Sequence, residues 1–137
     1  MPAKKKSFPL DLLFRALADP TRLRLLNLIA GKEICVCYFV GILGMSQPKI
    51  SRHLAYLRRA GIVAARRQGR WMHYRLLVPG DETAAAILRE TLAHLRERPD
   101  LQSDLTRLAA TCCDPGRLEL PREAPQPSTL PIAASQA

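Results

Sequence analysis

The sequence predicts a mainly α-helical fold with one small β-hairpin. Two observations carry this: apolar residues recur at helical spacing along most of residues 10–108, and a single β-friendly stretch around a basic turn interrupts them. A chain of 137 residues with 47% hydrophobic content supports one core, not two.

Leu10, Leu13, Phe14 and Leu17 share one face and define a first helix, after a basic start containing Lys4-Lys5-Lys6. Asp19-Pro20 is a start signal, with Asp as N-cap and Pro where its missing N–H costs nothing. Leu23, Leu26 and Ile29 give that second helix its stripe, and Gly31 ends it. Residues 34–43, apolar nearly all round, read as a short third helix stopped by Gly44. Ser46 then caps a fourth, with Ile50, Leu54 and Leu57 on its inner face and Gly61 at its exit. Ile62-Val63 and Trp71 to Val78 flank Arg66-Arg67-Gln68-Gly69-Arg70 as a hairpin with a basic tip. Ala85, Leu88, Leu92 and Leu95 mark a fifth helix from Asp81 to about Arg96, and Leu101, Leu105 and Leu108 suggest a further helical turn or two ending near Cys112-Cys113. The expected organisation is a basic mobile arm over residues 1–8, one domain over 9–113, and a disordered Pro-rich tail over 114–137, which has no apolar periodicity.

The third and fourth helices, joined by a short turn at Gly44, form a helix-turn-helix pattern, and the basic hairpin sits where a wing would follow. Charge agrees with it. The net charge is +9, and no Asp or Glu falls between Glu33 and Asp81, a window rich in Lys and Arg. A stripe of one sign suits a polyanion. Gln47 can pair with adenine, Lys49 or Arg52 with guanine, and Ser51 with base or phosphate, while Arg66, Arg67 and Arg70 reach neighbouring phosphates or the minor groove. Few aromatics are present to stack single strands, so duplex DNA is preferred over RNA.

Enzyme chemistry finds no support: there is no phosphate-binding glycine loop and no HExxH. Pro9, Asp11 and Arg15 interrupt what would be an export signal, and no window approaches the roughly 18 to 20 apolar residues of a membrane span, so no membrane partner and a cytoplasmic location are expected. Thiols stay reduced there. Four cysteines spaced CxC and CC, Cys35, Cys37, Cys112 and Cys113, then read as ligands or redox sensors and not as staples.

The segments ALADPTRLRLLNLIAG, EICVCYFVGILGMSQPKISRHLAYLRRAGIV and ARRQGRWMHYRL together resemble the ArsR/SmtB family of winged-helix metalloregulatory repressors, over about Leu10 to Leu95. The resemblance implies a winged helix-turn-helix homodimer paired through its first and fifth helices, bound to a near-palindromic operator until an inducer releases it. It places base reading on Gln47, Ser51 and Arg52, with His53 matching the pattern but flanking the core face. It also implies a thiolate site at Cys35 and Cys37 for arsenite, methylarsenite or antimonite. The alternatives are cadmium, lead or zinc, or a thiol switch answering to oxidants or reactive sulfur. The third cysteine that some arsenite sensors carry is replaced by Val40, so Cys112 or Cys113 is a candidate third ligand, within or across subunits, or the pair forms its own site. A zinc site on the fifth helix has only His94 to offer. Side chains two apart on a helix point nearly opposite ways, so joint binding by Cys35 and Cys37 is expected to bend or unwind the third helix.

Overall fold

A computed structural model of the chain describes residues 8–113 and 124–129, without the side chains of residues 112, 113 and 129. Helix α1 (Leu10–Leu17) leads into α2 (Pro20–Ile29), whose N-cap Asp19 accepts the Arg22 amide at 2.9 Å. Arg22 in turn donates from its side chain to the carbonyls of Arg15 and Ala16 and lies over the Tyr56 ring. One arginine thereby closes the end of α1 and joins it to the helix that Tyr56 occupies.

The chain departs from expectation after α2. Residues Lys32–Cys35 form strand β1, and helix α3 (Val36–Leu43) starts only at Val36, not at residue 34. A short apolar run fits a buried strand as well as a helix, and pairing decides between them here. Strand β1 is antiparallel to β3, with Glu33 opposite Arg75, Ile34 opposite Tyr74 and Cys35 opposite His73. Gly44 leaves α3 at φ 66°, a left-handed exit, and α4 (Gln47–Arg59) follows. Ser46 holds the extended N-cap geometry of α4, but its side chain makes no capping bond.

Strands β2 (Val63–Gln68) and β3 (Trp71–Leu76) form the expected hairpin, with Gly69 at φ 60° in a two-residue loop as a primed turn requires. Helix α5 (Glu82–Glu97) is capped by Asp81. Helix α6 (Pro99–Cys113) runs 15 residues, well beyond the turn or two its leucine series suggested. Its length comes from docking: Leu101 and Leu108 are buried, Arg24 on α2 grips Asp104 with two bonds of 2.8 and 2.9 Å, and Arg107 donates to the Ile42 carbonyl at 2.7 Å. Arg107 thus takes an orphan carbonyl near the end of α3.

The arm expected over residues 1–8 lies outside the described residues except for Phe8, which packs on the core. The tail expected over 114–137 also lies outside them except for 124–129, where the expectation of disorder needs correcting: strand β4 (Ser128–Thr129) pairs with Lys32 and Glu33 of β1. The sheet order is β2-β3-β1-β4. An otherwise open edge of β1 offers unpaired backbone groups, and two residues are enough to meet them. The core lies between the helices and the inner face of this sheet, around Leu26, Ile34, Phe39, Ile50, Leu57 and Leu88.

Candidate metal centre and nucleic-acid interface

Cys35 is the last residue of β1 and the N-cap of α3, with φ −68° and ψ 144°, and Cys37 is the second residue of the helix. The opposed arrangement expected of two helical cysteines does not arise, because only one of them is helical. An extended N-cap residue turns its side chain over the first turn, and the Cys37 thiol donates to Cys35 Sγ at 3.2 Å. The sulfurs meet over a regular helix, so the premise on which joint binding was expected to bend or unwind α3 does not hold.

Cys35 is fully buried and Cys37 half-buried. The hydrogen bond from Cys37 brings the Cys35 thiol down from 9.0 to about 7, against the effect of burial, and the amides of Cys37 and Val36 act in the same direction. Donating that bond, together with burial and the neighbouring negative charge, pushes the Cys37 thiol up. The pair therefore holds one proton between two sulfurs at the positive end of a helix, and Cys35 is the nucleophilic partner.

Gln47, Lys49 and Arg52 are exposed on α4, Ser51 is half-exposed, and Ile50, Leu54 and Leu57 are buried behind them. The polar face is thus free along the first two turns, the part of such a helix that enters a major groove. His53 is placed differently from these four. Its Nδ1 lies 3.7 Å from Asp19 Oδ2 and it is partly buried, so it faces the start of α2. Arg67 and Arg70 are exposed at the wing tip, with Arg67 bonded to the Gly69 carbonyl and Arg70 over the Trp71 ring.

Arg66 is exposed as well but is turned back onto β1. Its Nε and Nη2 donate to Glu33 Oε1 at 3.1 and 2.5 Å, and the guanidinium holds the Glu33 carboxyl below the usual range. Sequence reasoning missed both Glu33 and His73. His73 stands opposite Cys35 on β3, is buried, and its Nε2 has no hydrogen-bond partner; burial, then the Arg66 charge, lower its pKa. The signal for Glu33 was legible as the last acid before the 47-residue basic window, but only strand pairing shows what it faces.

Among the described residues no group of three or more His, Cys, Asp or Glu side chains is gathered as a metal site. The backbone of Cys112 and Cys113 ends α6, their side chains lie outside the description, and His94 is exposed on α5. No helix among the described residues is long and apolar enough to cross a membrane.

Comparison with known proteins gives a consistent result. The family model described as "Bacterial regulatory protein, arsR family" matches residues 19–65. The arsenic resistance transcriptional regulator ArsR1 of Pseudomonas putida is 46% identical over 99 residues, covering 72% of this chain and 76% of that one. The arsenical resistance operon repressor of Escherichia coli is 44% identical over 102 residues, covering 74% of this chain and 86% of that one. Among solved structures, the AntR antimony-specific transcriptional repressor superposes with a TM-score of 0.51 at 29% identity, covering 70% of this chain and 90% of that one.

Proposed function

From the premise that this chain belongs to the arsR family of bacterial regulatory proteins, a DNA-binding transcriptional repressor and not an enzyme, we propose that trivalent arsenic or antimony, bound to Cys35 and Cys37, releases it from its operator. The observation that carries this reading is the 3.2 Å separation of the two sulfurs. At a sulfur–metal bond of roughly 2.3 Å, that separation subtends an angle near 90°, whereas a tetrahedral ion needs sulfurs ~3.8 Å apart. A trivalent pnictogen keeps a lone pair and bonds as a near-right-angled pyramid. The spacing therefore favours arsenic or antimony over zinc or cadmium.

The binding step exchanges oxygen for sulfur. Each thiolate forms an As–S bond as an As–OH bond breaks, and the hydroxide leaves as water with a proton from Cys37 or solvent. The third valence is filled by Cys112 or Cys113, by hydroxide, or by the methyl group of methylarsenite. The relatives' names support the metalloid: one is a repressor of an arsenical resistance operon, and the AntR neighbour is antimony-specific.

The operator face in this reading is Gln47, Lys49, Ser51 and Arg52 in the major groove, with Arg67 and Arg70 on flanking phosphates. The working form is a homodimer. On α1, Leu10 and Phe14 are exposed, Phe14 by 54%, and α5 presents a groove lined by Leu92, Ala93 and Arg96. Those two surfaces are the family's pairing helices. A reducing cytoplasm keeps the pair as thiols.

The test is fluorescence anisotropy of the reduced protein on its promoter DNA, titrated with arsenite, methylarsenite, antimonite, cadmium, lead, zinc and hydrogen peroxide. Release at the lowest concentration by a trivalent arsenical or antimonite, lost in Cys35→Ser, is the expected result. Release by cadmium, lead or zinc first, or by peroxide alone, overturns the metalloid reading.

A further inference from the structure

Once the sulfurs are seen to meet without unwinding α3, the route from ligand to DNA needs another carrier. A ligand shifts an equilibrium only through an element that differs between the two states. Strand β1 does not touch β2, because β3 runs between them. Yet Glu33 on β1 and Arg66 on β2 are joined directly, by bonds of 3.1 and 2.5 Å. Their ion pair therefore crosses two inter-strand spacings, roughly 9.6 Å, over the intervening strand.

Side chains alternate along a strand, so Glu33 and Cys35 share one face of β1. The register puts Cys35, His73 and Arg66 in one row across the sheet. The Glu33 side chain is only 11% exposed, so its carboxylate has little water to turn to if Arg66 withdraws. Arg66 is directly followed by Arg67, the first exposed cation at the wing tip without an acidic partner in the described structure. The strand that carries Cys35 and the β2 strand of the wing are thus joined by one ion pair, its carboxylate buried and its guanidinium half-exposed.

We propose that the Glu33–Arg66 pair is a strap that couples ligand capture at Cys35 to the position of the wing, so that both are positioning residues for induced release and Arg66 is not primarily a phosphate contact. This rests on the metalloid-release reading. Drawing Cys35 toward a bound ion moves the end of β1, and the strap transmits that movement to β2 without any change in α3. By reciprocity, the same strap makes operator binding weaken ligand capture.

The experiment compares Glu33→Gln with wild type in the full chain, using methylarsenite or antimonite as probe. Three quantities are read: operator Kd without ligand, ligand affinity without DNA from thiolate absorbance, and the ratio of operator Kd with and without saturating ligand. The expected result is that the first two stay within about threefold while the ratio falls by about tenfold. Arg66→Gln gives the same loss of ratio, the double variant adds nothing further, and Arg66→Lys recovers part of it. If Glu33→Gln fails to fold, Arg66→Gln carries the same test from the exposed side of the pair. An unchanged ratio in the variants, with wild type released normally, overturns the strap alone. No release of wild type by either probe overturns the metalloid reading and the strap with it.

Discussion

Helices α3 and α4 begin alike and are used in opposite ways. Cys35 and Ser46 each stand one residue before a helix, at φ −68°, ψ 144° and φ −63°, ψ 150°. After Cys35 come Val36, Tyr38 and Phe39, all buried; after Ser46 come Gln47, Pro48 and Lys49, all exposed. The same backbone device thus points one head into the protein, where its N–H dipoles face the Cys35 sulfur, and the other outward, where its donors and acceptors are exposed, as the proposed groove contact requires. The two heads are 11 residues apart and share α3 and the Gly44 turn. Burial of the neighbouring residues, not helix geometry, separates the two heads, and in the proposed function it assigns sensing to the first and reading to the second.

The strongest way to break this comparison is to disable the inward head alone. Cys35→Ser should reduce the ligand-induced change in operator Kd from about 100-fold to less than about twofold, with ligand-free operator affinity kept within about twofold. Anisotropy on promoter DNA measures both. A large loss of ligand-free affinity in Cys35→Ser would mean that the two heads are not separable.

The converse change disables the outward head. Gln47→Ala or Arg52→Ala should weaken operator binding by about 1–3 kcal/mol each, with little change on random DNA and none in the thiolate titration. Equal loss on specific and random DNA would demote these residues to phosphate contacts.

This contrast also governs how much the sequence revealed. The placement of the outward head was legible, since its pattern is local: an amphipathic helix after Ser46 with buried Ile50, Leu54 and Leu57 behind exposed Gln47 and Arg52, although the Ser46 side chain makes no capping bond. The inward head was legible only as chemistry. CxC named the thiols, but their relative direction depends on β1, and β1 exists because Ile34 and Tyr74 pair across 40 residues of sequence. An apolar run such as ICVCYFV carries no local mark separating strand from helix. The same blindness hid Glu33 as the partner of Arg66, which reads in sequence as one more wing cation. It hid the reach of α6 as well, since Arg24 with Asp104 and Arg107 with the Ile42 carbonyl are long-range bonds.

A smaller effect tests the hinge that both heads share. Gly44 sits at φ 66° and a Cβ there meets nothing within 4 Å, so Gly44→Ala should cost only the backbone strain, about 1 kcal/mol, read as a shift in the denaturation midpoint at constant slope. Loss of much more would show that the turn between the heads is packed more tightly than its open surroundings indicate.

The finest test reads the inward head directly, through its proton. In a background with Cys112→Ser and Cys113→Ser, thiolate absorbance should show one group ionising with a midpoint of about 7 and the second only above the ordinary thiol range. The linkage has two signs. Cys35 has a lowered pKa, so the folded state holds fewer protons than the unfolded one between about 7 and 9.0; its contribution is complete above pH 9.0 and is lost as pH falls through 7. Cys37 has a raised pKa, so its contribution is present below 9.0 and is lost as pH rises beyond it. Together they place this pair's largest contribution to stability near pH 9, and replacing the donor by Cys37→Ala should move the Cys35 midpoint upward while leaving operator binding unchanged. A wild-type midpoint already at the ordinary thiol value would mean that the inward head does not hold its sulfur as a thiolate, and the functional contrast with α4 would then rest on burial alone.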